Sequence, residues 1–139
     1  MSFFEKLDYT EKNVLIPLLK NELKGRIGGK KFISNEDLVS LLNDEGYEEV
    51  YDGTIRKLIF HIRNFEDGFD FLIANSEGYF ISNNIEEVTN WINIHREKIQ
   101  VMRITLDSIE KQLRTNVDKL KKGEKANLGG QLSIWDVLQ

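Results

Sequence analysis

From Ile85 to about Lys122, apolar residues recur at helical spacing: Val88, Trp91, Ile92, Ile94, Ile99, Met102, Ile104, Leu106, Ile109 and Leu113. The pattern lasts roughly seven turns or more, which is long for a globular helix. It predicts a long helix, capped by Asn83 or Asn84, whose first half closes a core and whose second half extends beyond it. The second half reads Ile99, Met102, Leu106, Ile109, Leu113, Val117 and Leu120. Steps of three and four residues suit helix–helix pairing. Thr105 and Asp107 flank that stripe without interrupting it. A homodimer through residues 96–121 is one expectation; simple extension is the other.

The preceding residues predict a compact body. Thr10 is a candidate N-cap for a first helix to about Lys24, with Val14, Leu15, Leu18, Leu19 and Leu23 inward and a kink or late start at Pro17. Lys30–Ile33 is a short strand candidate. Ser34 caps a second helix to about Asn43, with Glu36 and Asp37 in its first turn. A third helix runs from about Asp52 to Asn64 with Ile55, Leu58, Ile59 and Ile62 on one face. Phe71–Ala74 and Tyr79–Ile81 form a β-hairpin around Asn75-Ser76-Glu77-Gly78, where Gly78 serves the turn.

A chain of 139 residues is long enough for one sound core. With no cysteine it has no disulfide scaffold, thiolate metal site or Cys nucleophile. No apolar run approaches the roughly 20 residues of a membrane span. No secretory pattern opens the chain, so the expectation is cytoplasmic and without a membrane partner. The net charge of −4 is unlike that of a nonspecific nucleic-acid coater. Charge is blocked, however. Lys20, Lys24, Arg26, Lys30 and Lys31 come first, then seven acids (Glu36, Asp37, Asp44, Glu45, Glu48, Glu49, Asp52), then Arg56, Lys57, His61 and Arg63.

The order helix, short strand, helix, turn, helix, hairpin, long helix is that of a winged helix-turn-helix. A local match adds to it. Gly53-Thr54-Ile55-Arg56-Lys57-Leu58-Ile59-Phe60-His61-Ile62-Arg63 leads to Leu72-Ile73-Ala74-Asn75-Ser76-Glu77-Gly78-Tyr79-Phe80-Ile81-Ser82, followed by Glu86-Glu87-Val88. Over roughly residues 10–95 this resembles the winged-helix domains common in small phage and prophage proteins. The resemblance implies a mainly α (α+β) fold, a winged helix-turn-helix with a small β-hairpin wing, and double-stranded DNA as partner. The expected organisation is 1–95 winged-helix domain, 96–121 extended helix, and 122–139 flexible linker and binding peptide.

The third helix has its own physical case. With its four aliphatics buried, a step of about 100° per residue puts Gly53, Lys57, Phe60 and Asn64 opposite. Arg56 and Arg63 fall on one flank, Thr54 and His61 on the other. Asn and Lys reach base edges in a major groove, and Arg grips phosphate or guanine. The expected DNA-binding residues are therefore Thr54, Arg56, Lys57, His61, Arg63 and Asn64, with Lys30 and Lys31 on the backbone. The alternative is a solvated basic face. Phe60 is left to pack on thymine methyls, a partner or the long helix. The wing tip, Ser76-Glu77-Gly78, carries no base, and the acidic block would repel phosphate if it faced a duplex.

At the end, a polar Gly-rich stretch leads to Gln131-Leu132-Ser133-Ile134-Trp135. This resembles the bacterial sliding-clamp-binding peptide, Gln-Leu-Ser/Asp-Leu-Phe. The resemblance implies Gln131 as polar anchor, Leu132 and Ile134 as aliphatic plugs, Ser133 between them and Trp135 as aromatic plug, with Ile for Leu and Trp for Phe as departures. The alternative is docking on the protein's own core or on a dimer mate. His61 and His95 lack ligand spacing, and no metal, phosphate-loop or nucleophile motif is present. The expected activity is therefore binding without catalysis, cofactor or metal: a DNA-binding adaptor or regulator that engages a replication clamp. The rival is a protein-interaction module that uses an acidic winged helix and helical arm without DNA.

Overall fold

The computed structural model describes residues 6–126, with side chains up to residue 123. The chain divides into two units, one ending at Ile92 and the other starting at Asn93. It is mainly helical, with a small two-stranded antiparallel sheet and a long C-terminal helix.

The first helix begins differently from expectation. Asp8, not Thr10, is the cap: its Oδ1 accepts the Glu11 N–H at 2.7 Å, and Glu11 Oε1 accepts the Asp8 N–H at 3.0 Å. This is a reciprocal capping box, which satisfies two end donors at once. Thr10 already has helical angles and makes no side-chain cap. A wide π turn, Glu11–Leu15, follows, closed by Ile16 N–H donating to Glu11 O. Then comes α1, Ile16–Leu23, with Pro17 in its opening positions. Proline has no N–H and crowds the carbonyl four residues back, and the widened turn stands where that crowding would fall.

The Lys30–Ile33 strand is reduced to a 3-10 turn, Gly29–Lys31, and a single bridge at Ile33. Gly28, at φ 97°, turns the chain there. Next come α2, Asn35–Asp44, and α3, Asp52–Phe65. Ser34 caps α2 as expected, its hydroxyl accepting the Asp37 N–H at 3.0 Å. β1, Leu72–Ala74, pairs with β2, Tyr79–Ile81, in the register Leu72 with Ile81 and Ala74 with Tyr79. The strand starts one residue later than expected because Phe71 sits at φ 65°. On its other edge β2 meets Ile33, which exchanges hydrogen bonds of 2.9 and 2.8 Å with Tyr79, and the Arg26–Gly28 backbone. Gly78 is needed for that approach: a Cβ there would collide with the Ile33 carbonyl. Its φ is not in the left-handed region, so turn geometry is not the reason.

The core joins α1 (Leu19, Leu23), α2 (Leu38, Leu42), α3 (Ile55, Leu58, Ile59, Ile62) and Leu72 of the hairpin, each at most 1% exposed. Asn84 opens the last helix, α4, Ile85–Ala126, accepting from the Glu86 and Glu87 N–H groups at 2.9 and 3.3 Å. The helix runs past Lys122, where a linker was expected, because Lys, Glu and Ala there favour helix and Gly123 alone opposes it.

Candidate functional site

The α3 helix is covered on more sides than its aliphatic face. Ile55, Leu58, Ile59 and Ile62 face the core as expected. Thr54, Lys57 and His61, expected at or beside the exposed face, are buried as well, at 7–9% exposure. Lys57 is the main correction. Its Nζ lies 2.8 Å from Glu11 Oε1, with both side chains nearly covered. Glu11 therefore closes the capping box and neutralises the lysine. A buried ammonium needs such a partner. Held there, Lys57 is not presented to a groove.

His61 is surrounded by rings. Phe60 meets it edge-on at 5.5 Å between centroids, and Phe65 lies at 5.4 Å. Phe60 also meets Phe65 at 6.0 Å, so its half-buried ring packs on its own helix. Arg63 turns inward: its Nε donates to Leu72 O at 2.7 Å, and its guanidinium lies over the Trp91 ring at 5.8 Å. Burial lowers its pKa from the ordinary value, against the raising effect of Tyr79. Tyr79 is held above its own ordinary value, mainly by burial, with Arg63 and Arg56 pulling it down and Asp52 pushing it up.

Of the six α3 residues singled out, Arg56 and Asn64 remain exposed. Asn64 donates to Phe60 O at 2.8 Å. They share the outward stripe Asp52, Arg56, Phe60, Asn64, spaced four residues apart. The basic block upstream also divides. Lys20 pairs with Glu66 at 3.2 Å and lies over Phe69, and Arg26 pairs with Glu22. Lys30 and Lys31 are exposed and, like Arg56, form no ion pair among the described residues. All seven residues of the acidic block are exposed. Asn35 ties the start of α2 to that of α3, donating to Asp52 O at 3.4 Å.

The residue missed by the sequence reading is Glu11. The Asp-x-x-Glu spacing of a capping box was visible at 8–11; its pairing with a lysine 46 positions away was not. The tail residues Gln131, Leu132, Ser133, Ile134 and Trp135 lie outside the described residues. Among the described residues no group of three or more His, Cys, Asp or Glu could hold a metal, and no helix is long and apolar enough to cross a membrane. No family model matches this chain, and comparison with curated proteins and solved structures finds no match either.

Proposed function

We propose that this chain is a non-enzymatic adaptor: its body binds double-stranded DNA as a winged helix, and its C-terminal peptide tethers it to a replication clamp. One observation carries the reading. The outward stripe of α3 keeps Arg56 and Asn64 exposed, in a chain whose helices and hairpin follow the order that the family resemblance implies. Arg56 would grip phosphate or guanine and Asn64 a base edge, while Lys30 and Lys31 would contact the backbone. Lys57, Thr54, His61 and Arg63 leave the contact list, since each is held inside or turned inward.

The consequence is weak, salt-sensitive binding. Three exposed cations, Lys30, Lys31 and Arg56, predict a slope of log K against log salt of about −3 per chain. Titration of the full chain with labelled duplex over a salt series tests this. A slope near that value, with Arg56→Ala weakening binding, supports the reading; no binding to any duplex at low salt removes it. The tail is tested separately, by comparing capture of purified clamp by the full chain and by residues 1–128.

A second reading has its own support. The acidic block is wholly exposed, and two of the three α3 cations are engaged internally. That surface suits a protein partner carrying positive charge, and it gains ground if duplex binding fails.

A further inference from the structure

We propose that the pocket between the start of the first helix and the turn leading into α3 binds an arginine side chain of a protein partner. The pocket is open and has a volume of about 530 Å³. Two oxygens in it lack a donor. Thr54 is 9% exposed and Glu11 8%. The Thr54 hydroxyl has no hydrogen-bond partner among the described residues. Glu11 Oε1 accepts both the Asp8 N–H and the Lys57 ammonium. Glu11 Oε2 accepts neither, and it too has no partner among the described residues. Neither oxygen is closed off from solvent. Both residues line the pocket, so their free oxygens open into it. Polar groups this deep are normally paired, and a ligand that donates hydrogen bonds supplies what the chain does not.

Charge identifies the donor. Asp8, Glu48 and Glu49 also line the pocket, are exposed, and form no ion pair among the described residues. No Lys, Arg or His lines it, and the Glu11 charge is already met by Lys57. Three carboxylates are left uncompensated, so the ligand is a cation. Among the described residues no three acids converge as metal ligands would; the charge is spread for something larger. A guanidinium fits. It is planar and weakly hydrated, and its five donors are enough for Glu11 and Thr54 at once. Tyr47, Leu15 and Val50 line the same pocket and offer apolar surface to its face and its stem. An ammonium is compact and strongly hydrated, and gives up more water on entry. The volume exceeds that of one arginine side chain, so flanking peptide enters with it. Free arginine would bring its own carboxylate towards three acids; within a peptide that charge is gone.

The proposal rests on the second reading above, a partner carrying positive charge, and gives that partner a place to dock. The probe is the tripeptide Gly-Arg-Gly, acetylated and amidated, titrated into the full chain and followed by amide NMR. Saturable shifts of the Tyr47 and Thr54 signals are expected. Thr54→Val weakens binding about tenfold, the worth of a hydrogen bond to a charged group. Glu48→Gln with Glu49→Gln, both on the surface, weakens it as well, and keeps the test decisive if Thr54→Val fails to fold. Glu36→Gln with Asp37→Asn removes as much charge from the acidic block outside the pocket and changes binding by less than about twofold, since salt screens the distance. Gly-Lys-Gly and propylguanidinium, which lacks the peptide, both bind more weakly than the arginine peptide. Equal losses from the two acid pairs, or a folded Thr54→Val that binds unchanged, overturn the pocket and leave the acidic-surface reading standing. A lysine peptide or propylguanidinium that binds as tightly overturns the arginine assignment. No saturable shift with any of the three probes removes both the pocket and the second reading.

Discussion

Replacing Glu11 by Gln isolates the pair that holds Lys57. The amide oxygen still accepts the Asp8 N–H, so the capping box survives, and the charge opposite the ammonium is lost. The Lys57 and Glu11 side chains are 8% and 11% exposed, which puts the pair in the buried class. Removing one partner of such a pair costs about 3–5 kcal/mol. Glutamine still offers Lys57 an oxygen, which places Glu11→Gln near the lower end, about 3 kcal/mol. Glu11→Ala adds the lost cap, about 1 kcal/mol more. The double variant Glu11→Gln/Lys57→Met leaves no buried charge and returns to within about 1 kcal/mol of the parent. Urea unfolding followed by circular dichroism, at one protein concentration, measures the parent, Glu11→Gln, Lys57→Met and the double variant, with Glu11→Ala alongside. A double-mutant cycle then gives the coupling between the two sites. The reasoning is refuted if Glu11→Gln unfolds within about 0.5 kcal/mol of the parent, the usual spread for surface changes, or if the two losses simply add. In that case Lys57 would be available to a duplex, and Lys57→Met would weaken DNA binding where the buried arrangement predicts little change.

Three further outcomes are expected. Arg56→Ala weakens duplex binding by about 1 kcal/mol or more, read by anisotropy, and leaves the urea midpoint nearly unchanged because the side chain is exposed. Gly78→Ala lowers stability by about 2 kcal/mol or more, read from the thermal midpoint, because its Cβ would displace the Ile33 backbone; an unchanged midpoint would contradict that contact. Burial raises the Tyr79 phenol above its ordinary 10.0, so its contribution is complete below pH 10 and is lost as pH climbs through the raised value. Unfolding free energy should fall above about pH 10, and less steeply in Tyr79→Phe.

Local signals were legible where one short segment determines the outcome. Ser34 before two acids, Asn83 or Asn84 before Glu86-Glu87, and the Asn75–Gly78 turn each place a cap or loop from a few residues; of the two asparagines the structure uses Asn84. The aliphatic face of α3 was legible for the same reason. Which other faces of α3 would be covered was not, because a helical period describes one helix and not its neighbours. Lys57 read as outward from Ile55, Leu58 and Ile62. It is inward because the π turn brings Glu11 across that side. Arg63 likewise depends on Leu72 and Trp91, partners set by the hairpin and by the start of α4. The two residues that stay outward, Arg56 and Asn64, share a stripe that a tally of charged residues on α3 would not separate from the rest.

The hairpin leaves little room for a foreign strand. Both sides of β2 are occupied, by β1 and by the backbone around Ile27 and Ile33. On β1, pleat alternation directs the main-chain groups of Leu72 and Ala74 away from β2. Leu72 has both of its groups engaged, its N–H by Phe69 O and its carbonyl by Arg63. Only Ala74 could then offer main-chain groups to an incoming chain, too short a ledge for stacking one molecule on the next. The inward turn of Arg63 thus works as a guard against sheet-to-sheet aggregation, and replacing it would expose that ledge.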